Sequence, residues 1–191
     1  MGGYGINNML NQNPKVAEKP INQPTPTVQP TPSNQPTAKD YVNEGLKYYN
    51  QKEYEKAIAS YNKAIEINPN DALAYYNRGL AYYYLKEYEK AIASYTKAIE
   101  LDPNYVEAYN NRGIAYYYLK EYEKEIVSYT KAIEINPNYA NAYYNRAVSY
   151  KILGNRQNAL SDYRQAAILY QQQGKTKDYD DAKDRIRELG G

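Results

Sequence analysis

A repeat of 34 residues is the feature that most constrains how this chain folds. Aligning one small residue per repeat gives four successive units: 38–71, 72–105, 106–139 and 140–173. The aligned residues are Gly45, Gly79, Gly113 and Ala147. A repeat of this length indicates one supersecondary unit that cannot bury its apolar face alone. The units are therefore expected to stack on one another and share a continuous core.

Each unit is predicted to hold two amphipathic helices. In the second unit, Tyr75, Gly79 and Tyr82 recur at three- and four-residue spacing, and Ala91 and Tyr95 do so further on. Residues with this spacing lie on one face of a helix. Only a short turn separates the two stretches, which predicts a tight helix reversal. Glycine in the middle of a helix is unfavourable, so the aligned glycines indicate close approach between helices.

Prolines and asparagines predict the ends of the helices. Proline cannot continue a helix, so a proline is expected to end the second helix of each of the first three units: Pro69, Pro103 and Pro137. The asparagine after each proline is expected to cap the next helix: Asn70, Asn104 and Asn138. Glu107 stands three places after Asn104, where it would complete a capping box.

The pattern resembles the tetratricopeptide repeat (TPR) family over residues 38 to 173. The resemblance rests on the repeat length, the closing prolines, the step from Gly79 to Tyr82 and the step from Ala91 to Tyr95. The chain departs from the family pattern with tyrosine in place of its tryptophan: Tyr41, Tyr75, Tyr109 and Tyr143. Unit three has Glu125 where the family has a small residue, and unit four has Gln171 where it has proline.

We therefore predict an all-α fold, an α-α superhelix (TPR solenoid) of four helix-turn-helix repeats. Residues 174–191 are predicted to form a C-terminal capping helix, because an apolar stripe of Tyr179, Ala182, Ile186 and Leu189 stands among many charges. Such a helix would cover the apolar end of the stack. No similar cap precedes unit one.

Residues 1–37 have the composition of a disordered tail. They are rich in proline, glutamine, asparagine and threonine and cannot bury enough apolar surface to offset the entropy of ordering. The tail is interpreted as a passive tether, and the alternative is a segment that docks on a partner or on the chain's own groove.

Composition excludes most common active sites. The chain has no cysteine and no histidine, so disulfides, thiolate or imidazole metal sites and histidine bases are absent. We predict no cofactor, no metal and no enzymatic activity. Net charge is +2, with both signs interspersed, which disfavours nucleic acid as a partner. No stretch approaches the roughly 18 apolar residues that a membrane span needs, and no secretory signal is visible, which favours the cytoplasm.

The TPR resemblance implies that the first helices of the units line a groove. A helical wheel places a set of polar, aromatic and aliphatic residues on that side. The predicted peptide-binding residues are Asn43, Asn77, Asn111, Asn145, Tyr49, Tyr76, Leu80, Tyr83, Asn110, Ile114, Tyr117, Tyr144 and Val148. Four asparagines in this set recur every 34 residues, and side-chain amides can pair with the backbone of an extended peptide. We call Asn43, Asn77, Asn111 and Asn145 the asparagine ladder.

Structural roles are the alternative for the same residues. The asparagines would cap or bridge adjacent helices, and Tyr49, Tyr83 and Tyr117 would pack between units. With 27 tyrosines and no phenylalanine or tryptophan, every ring carries a hydroxyl, which favours grooves and interfaces over a sealed interior. Arg78, Arg112 and Arg146 form a second ladder that is expected to direct its guanidinium groups to water or a carboxylate.

The sequence thus predicts a protein-protein interaction module that holds a protein or peptide in its groove, as an adaptor, scaffold or assembly factor. The charged clamp by which some TPR proteins grip a C-terminal acid is missing, because Val42, Leu46, Glu107 and Asn111 occupy its places. The alternative is a structural subunit that self-associates through the uncapped first repeat.

Overall fold

The computed structural model of the chain describes residues 35–191. The predictions made for residues 1–34 lie outside the described residues. Within 35–191 the chain forms nine α-helices and no strand: α1 (Ala38–Asn50), α2 (Tyr54–Ile67), α3 (Ala72–Tyr84), α4 (Tyr88–Leu101), α5 (Val106–Tyr118), α6 (Tyr122–Ile135), α7 (Ala140–Ile152), α8 (Arg156–Gln172) and α9 (Thr176–Glu188). The prediction of an all-α helical repeat is confirmed.

The helices pack in sequential pairs. Each first helix (α1, α3, α5, α7) packs against the second helix of its own unit, and each first helix after α1 also packs against the second helix of the preceding unit. The buried side chains are mainly alanine and tyrosine from these shared surfaces. Every contact between elements is therefore local in sequence, as expected of a solenoid.

Glycine in the first helix lets the second helix approach closely. A β-carbon on Gly79 would lie 2.6 Å from Cε1 of Tyr95, a distance that real β-carbons do not reach. Gly45 and Gly113 stand in the same relation to Tyr61 and Tyr129. The expected close approach is confirmed, and it explains why unfavourable helix propensity is tolerated at these positions.

The helix reversals use a left-handed residue at one fixed place. Lys52, Lys86 and Lys120 have φ of 62°, 62° and 60° in the first three units. The equivalent residue of unit four is Gly154, with φ of 76°. Glycine adopts this conformation without the steric cost that a side chain incurs.

The predicted caps are wrong in detail. The residues that cap α3, α5 and α7 are Asp71, Tyr105 and Tyr139, each one place later than predicted. Asn70, Asn104 and Asn138 instead donate their backbone amides to the side chains of Asn68, Asp102 and Asn136. These local turns compete with capping for the same short stretch after the helix. Glu107 completes no box, because Tyr105 has no side-chain cap bond.

Tyrosines fill the sealed interior, contrary to the expectation from composition. Tyr61, Tyr95 and Tyr129 are 0% exposed, and their hydroxyls have no hydrogen-bond partner among the described residues. Burial raises the pKa of each of these phenols, so they stay neutral. The area that each ring buries outweighs the cost of its unpaired hydroxyl.

The C-terminal helix covers the end of the stack. Ala182 of α9 is fully buried, the hydroxyl of Tyr144 donates to Asp181, and Lys151 Nζ lies 2.8 Å from a carboxylate oxygen of Glu188. The predicted capping role is confirmed by this packing. In the described part of the chain, no helix has the length and apolarity that crossing a membrane would require.

The opposite end of the described stack is polar. The outer face of α1 carries four exposed polar residues: Asp40, Asn43, Lys47 and Gln51. Their equivalents in unit two contact the preceding unit and are buried or half-buried: Ala74, Asn77, Ala81 and Leu85. The first repeat therefore has a polar, exposed outer face of its own.

Candidate peptide-binding face

The predicted groove residues lie on the first helices of the units, on a surface that we call the groove face. Asn43 is exposed, and Tyr49, Tyr117 and Val148 are half-buried. The others are buried: Tyr76, Asn77, Leu80, Tyr83, Asn110, Asn111, Ile114, Tyr144 and Asn145. Most of the set therefore contributes to packing between helices, and a ligand could reach only part of each side chain.

Hydrogen bonds connect the asparagine ladder across three units. Asn145 Nδ2 donates to Asn110 Oδ1 at 3.3 Å, Asn110 Nδ2 donates to Asn111 Oδ1 at 3.2 Å, and Asn111 Nδ2 donates to the Tyr76 hydroxyl at 3.0 Å. The donors and acceptors alternate along one chain from α7 through α5 to α3. Such a buried network fixes the relative positions of the first helices.

The network ends where its partner residue changes. Asn77 is the equivalent of Asn111, and the residue 35 places before it is Val42, which has no hydroxyl. Asn77 Nδ2 accordingly has no hydrogen-bond partner among the described residues. Asn43 lies in the first of the described units and is exposed. The ladder thus bridges helices in units two to four, and peptide contact by its members stays a prediction.

Eight tyrosines near the helix reversals extend the groove face onto the first residues of the second helices. We call them the tyrosine strip: Tyr49, Tyr54, Tyr83, Tyr84, Tyr88, Tyr117, Tyr118 and Tyr122. Tyr54 stacks on Tyr84 with ring centroids 5.1 Å apart, and Tyr88 stacks on Tyr118 at 4.8 Å. Tyr49 and Tyr83 each meet such a pair edge-on at 5.7 Å. Tyrosine rings from adjacent units therefore form one connected surface.

The strip is electrically neutral. Burial raises the pKa of Tyr49, and the neighbouring hydroxyl of Tyr84 raises it further. Burial and the hydroxyl of Tyr118 have the same effect on the pKa of Tyr83. These phenols stay protonated at physiological pH, so the strip offers apolar rings and neutral hydroxyl groups.

The arginine ladder bridges units. Arg78 donates to Asn62 of α2 at 2.8 Å and to Ser94 of α4 at 3.2 Å. Arg146 donates to Thr130 and makes two hydrogen bonds with Asp162 at 2.7 and 2.9 Å. The expected carboxylate partner is thus found for Arg146, while Arg78 uses neutral acceptors.

The sequence prediction missed the residues that begin the second helices. Tyr54, Tyr88 and Tyr122 complete the tyrosine strip, but the helical wheel covered only the first helices. Their recurrence at the repeat interval was the signal that could have found them.

Matches to three family models together cover residues 45–184. The models are described as "TPR repeat", at residues 45–85 and 79–120, and as "Tetratricopeptide repeat", at residues 106–139 and 128–184. A search of curated protein sequences finds no match.

Solved structures show the same fold. The chain is similar to a crystal structure of MamA, with 28% identity and a TM-score of 0.70, over 72% of this chain and 81% of that one. It is similar to the first TPR of Spaghetti (RPAP3) bound to the HSP90 peptide SRMEEVD, with 29% identity and a TM-score of 0.60, over 62% and 94% of the two chains. The Arabidopsis OM64 TPR domain matches with 28% identity and a TM-score of 0.59, over 60% and 95%.

Proposed function

Because the chain belongs to the tetratricopeptide repeat family, we propose that it is a protein-interaction module whose groove face binds an extended segment of a partner protein. It would act as an adaptor, scaffold or assembly factor by holding that partner. Fold alone does not assign this role, so the proposal depends on the chemistry of the groove face.

The tyrosine strip is the observation that carries the proposal. Tyrosine offers a large, stiff contact surface at low entropic cost, together with a hydroxyl that pairs with peptide backbone. Stacked pairs such as Tyr54 with Tyr84 hold the rings in fixed orientations before a partner arrives. A surface ordered in advance loses less entropy on binding.

The partner segment is proposed to be uncharged. The Spaghetti TPR domain is similar to this chain, and its structure holds the acidic HSP90 peptide SRMEEVD. In this chain, three positions of the family's clamp hold other residues. Val42 is buried, and Glu107 is an exposed carboxylate. Asn111 already donates its amide to the hydroxyl of Tyr76. None of these offers a free cation to an acidic peptide.

No catalytic step is part of the proposal. The buried carboxylates in residues 35–191 are Glu125 and Asp162. Glu125 is fully buried on the second helix α6, and Asp162 lies on α8 and is paired with Arg146.

Self-stacking through the first repeat is the weaker alternative. The outer face of α1 is polar where the equivalent face of α3 is buried against its neighbour. Stacking would bury Asp40 and Lys47 and remove their hydration, which is unfavourable for charged groups that gain no oppositely charged partner. Sedimentation velocity over a hundredfold range of concentration checks this. We expect a monomer at every concentration. A dimer whose association is strengthened by Lys47→Ala would instead support stacking through this face.

Matched valine substitutions test the groove. Val148 is half-buried on the groove face, and Val127 is 59% exposed on the second helix α6. Displayed random 12-residue peptides are first selected on the wild-type chain and then measured on Val148→Glu and Val127→Glu. Peptides should lose at least about tenfold in affinity on Val148→Glu, since a buried charge opposes an apolar contact. Their affinity for Val127→Glu should be unchanged.

Circular dichroism melts of both variants separate a lost surface from a lost fold. A selected peptide that binds both folded variants with wild-type affinity would place its site outside the groove face and contradict the proposal.

A further inference from the structure

We propose that Tyr117, Tyr122 and Ile152 form a notch in the tyrosine strip that binds one uncharged aromatic ring of the partner segment. This inference deepens the proposed function by naming what the partner presents. The inference rests on one repeat position in the strip. A tyrosine ring occupies this position at two junctions between units, and an aliphatic residue occupies it at the third.

The first two junctions between units show what the position accepts. Tyr84 of unit two lies on Tyr54 of unit one, with ring planes 9° apart. Tyr118 of unit three lies on Tyr88 of unit two, with ring planes 8° apart. In both junctions the covering tyrosine follows the covered tyrosine by 30 residues in the sequence. The stacked arrangement is therefore a consequence of the repeat. Offset stacking of this kind is a favourable arrangement of two aromatic rings.

At the third junction the covering ring is replaced. The equivalent of Tyr84 and Tyr118 is Ile152, which is 45% exposed. Leu153, beside it, is 44% exposed, whereas the equivalent leucines, Leu85 and Leu119, are half-buried. Two adjacent aliphatic side chains thus form an exposed apolar patch at the edge of the strip, and exposed apolar patches mark surfaces suited to binding.

The other walls of the notch are intact. Tyr117 meets Tyr122 edge-on with ring centroids 6.1 Å apart and ring planes at 66°. Tyr49 and Tyr54 make the same contact at 5.7 Å and 66°. Tyr122 is therefore held as Tyr54 is held, but no tyrosine of unit four lies over it. The notch continues an interface that the chain itself uses twice.

Several charges around the notch are already paired. Lys151 pairs with Glu188, and the guanidinium group of Arg156 donates to the backbone carbonyl of Leu189. Glu121 pairs with Lys124. The walls of the notch are two neutral phenol rings and an aliphatic side chain, which favour a neutral ring, such as that of tyrosine or phenylalanine, as the occupant.

Two small probes test the ring preference on the whole chain. N-acetyl-tyrosine amide and N-acetyl-leucine amide are titrated separately into labelled protein and followed by NMR. The tyrosine probe should shift the signals of Tyr117, Tyr122 and the Ile152 methyl groups. It should bind about three- to tenfold more tightly than the leucine probe, the gain expected from ring stacking. Equal binding of the two probes, or no shift at these residues, would overturn the proposal.

Ile152→Tyr supplies the missing ring and should close the notch. We expect the tyrosine probe to lose these shifts on this variant, and Ile152→Val, which leaves the position aliphatic, to keep them. If Ile152→Tyr folds and still binds the probe at Tyr122, the notch is not the site.

The outcome is separable from that of the proposed function. Failure of the probes, with selected peptides still sensitive to Val148→Glu, would remove the notch and leave the groove. Probe binding at Tyr122, with peptides insensitive to Val148→Glu, would support the notch and contradict the proposed peptide-binding groove.

Discussion

Asn111 Nδ2 lies 3.0 Å from the hydroxyl oxygen of Tyr76, and the hydrogen bond between them joins the first helices of adjacent units. Asn110 and Asn145 extend this bond to the fourth unit. The four asparagines of the ladder have the same repeat position but different partners. Substitutions along the ladder are therefore expected to have unequal effects on stability.

Asn111→Ala should lower the free energy of unfolding by about 1–3 kcal/mol, because it leaves the buried Tyr76 hydroxyl without its donor. Asn43→Ala should change it by less than about 0.5 kcal/mol, since Asn43 is exposed. Urea denaturation followed by circular dichroism measures both. Equal effects of the two substitutions would contradict the bridging role.

Gly79→Ala should destabilise the array, although alanine favours helix. The new β-carbon would lie 2.6 Å from Cε1 of the buried Tyr95 ring. Overpacking costs about 1–3 kcal/mol, and the gain in helix propensity returns about 1 kcal/mol. Thermal melts should show a lower midpoint than wild type. A raised midpoint would mean that the two helices separate freely at this contact.

The periodicity was sufficient to predict the fold but not the contacts of the groove face. The spacing of Gly79, Tyr82, Ala91 and Tyr95 specifies which helix faces are buried, and a solenoid follows from stacking such units. The bonding of each buried asparagine depends on the residue 35 places earlier. That residue is Val42 for Asn77, the accepting hydroxyl of Tyr76 for Asn111 and the amide oxygen of Asn110 for Asn145. A wheel drawn for one unit contains no information about its neighbour.

The environments of residues at the ends of the stack and in the turns also could not be predicted from a single unit, because they depend on neighbouring segments. Asn43 has the same repeat position as Asn77, but it lies in the first described unit and is exposed, whereas Asn77 is buried. Tyr54 and Tyr88 lie on second helices and join the strip only because the reversal brings their rings beside the next first helix. The caps moved by one residue because the side chains of Asn68 and Asp102 accept local backbone bonds.

Arg146→Met should be more damaging than Asp162→Ser. The arginine makes two hydrogen bonds to Asp162, whose side chain is 8% exposed, and removing it strands a buried carboxylate at a cost of about 3 kcal/mol or more. Asp162→Ser recreates the pairing of Arg112 with Ser128 and should cost about 1 kcal/mol. Urea midpoints compare the two variants, and the reverse order would contradict this assignment.

Glu125 gives the array a dependence on pH. It occupies the repeat position that holds Ala57, Ala91 and Ala159 elsewhere and is 0% exposed. Neither of its carboxyl oxygens has a hydrogen-bond partner among the described residues. Burial raises the pKa of Glu125 to about 8, against the opposing influence of the hydroxyls of Ser149 and Tyr129.

The folded chain therefore keeps a proton on Glu125 that the unfolded chain releases above its ordinary pKa of 4.5. Stability from this group is fully present below about pH 4.5 and is lost as the pH rises to about 8, by up to about 1.4 kcal/mol per pH unit. Glu125→Gln keeps the size of the side chain and cannot ionise, so its unfolding free energy should decline less over this range. Urea titrations at pH 5, 6, 7 and 8 should show the two chains diverging, with the variant relatively more stable at pH 8. Parallel pH profiles would mean that Glu125 ionises in the folded state as freely as in water, which its burial between α6 and α7 opposes.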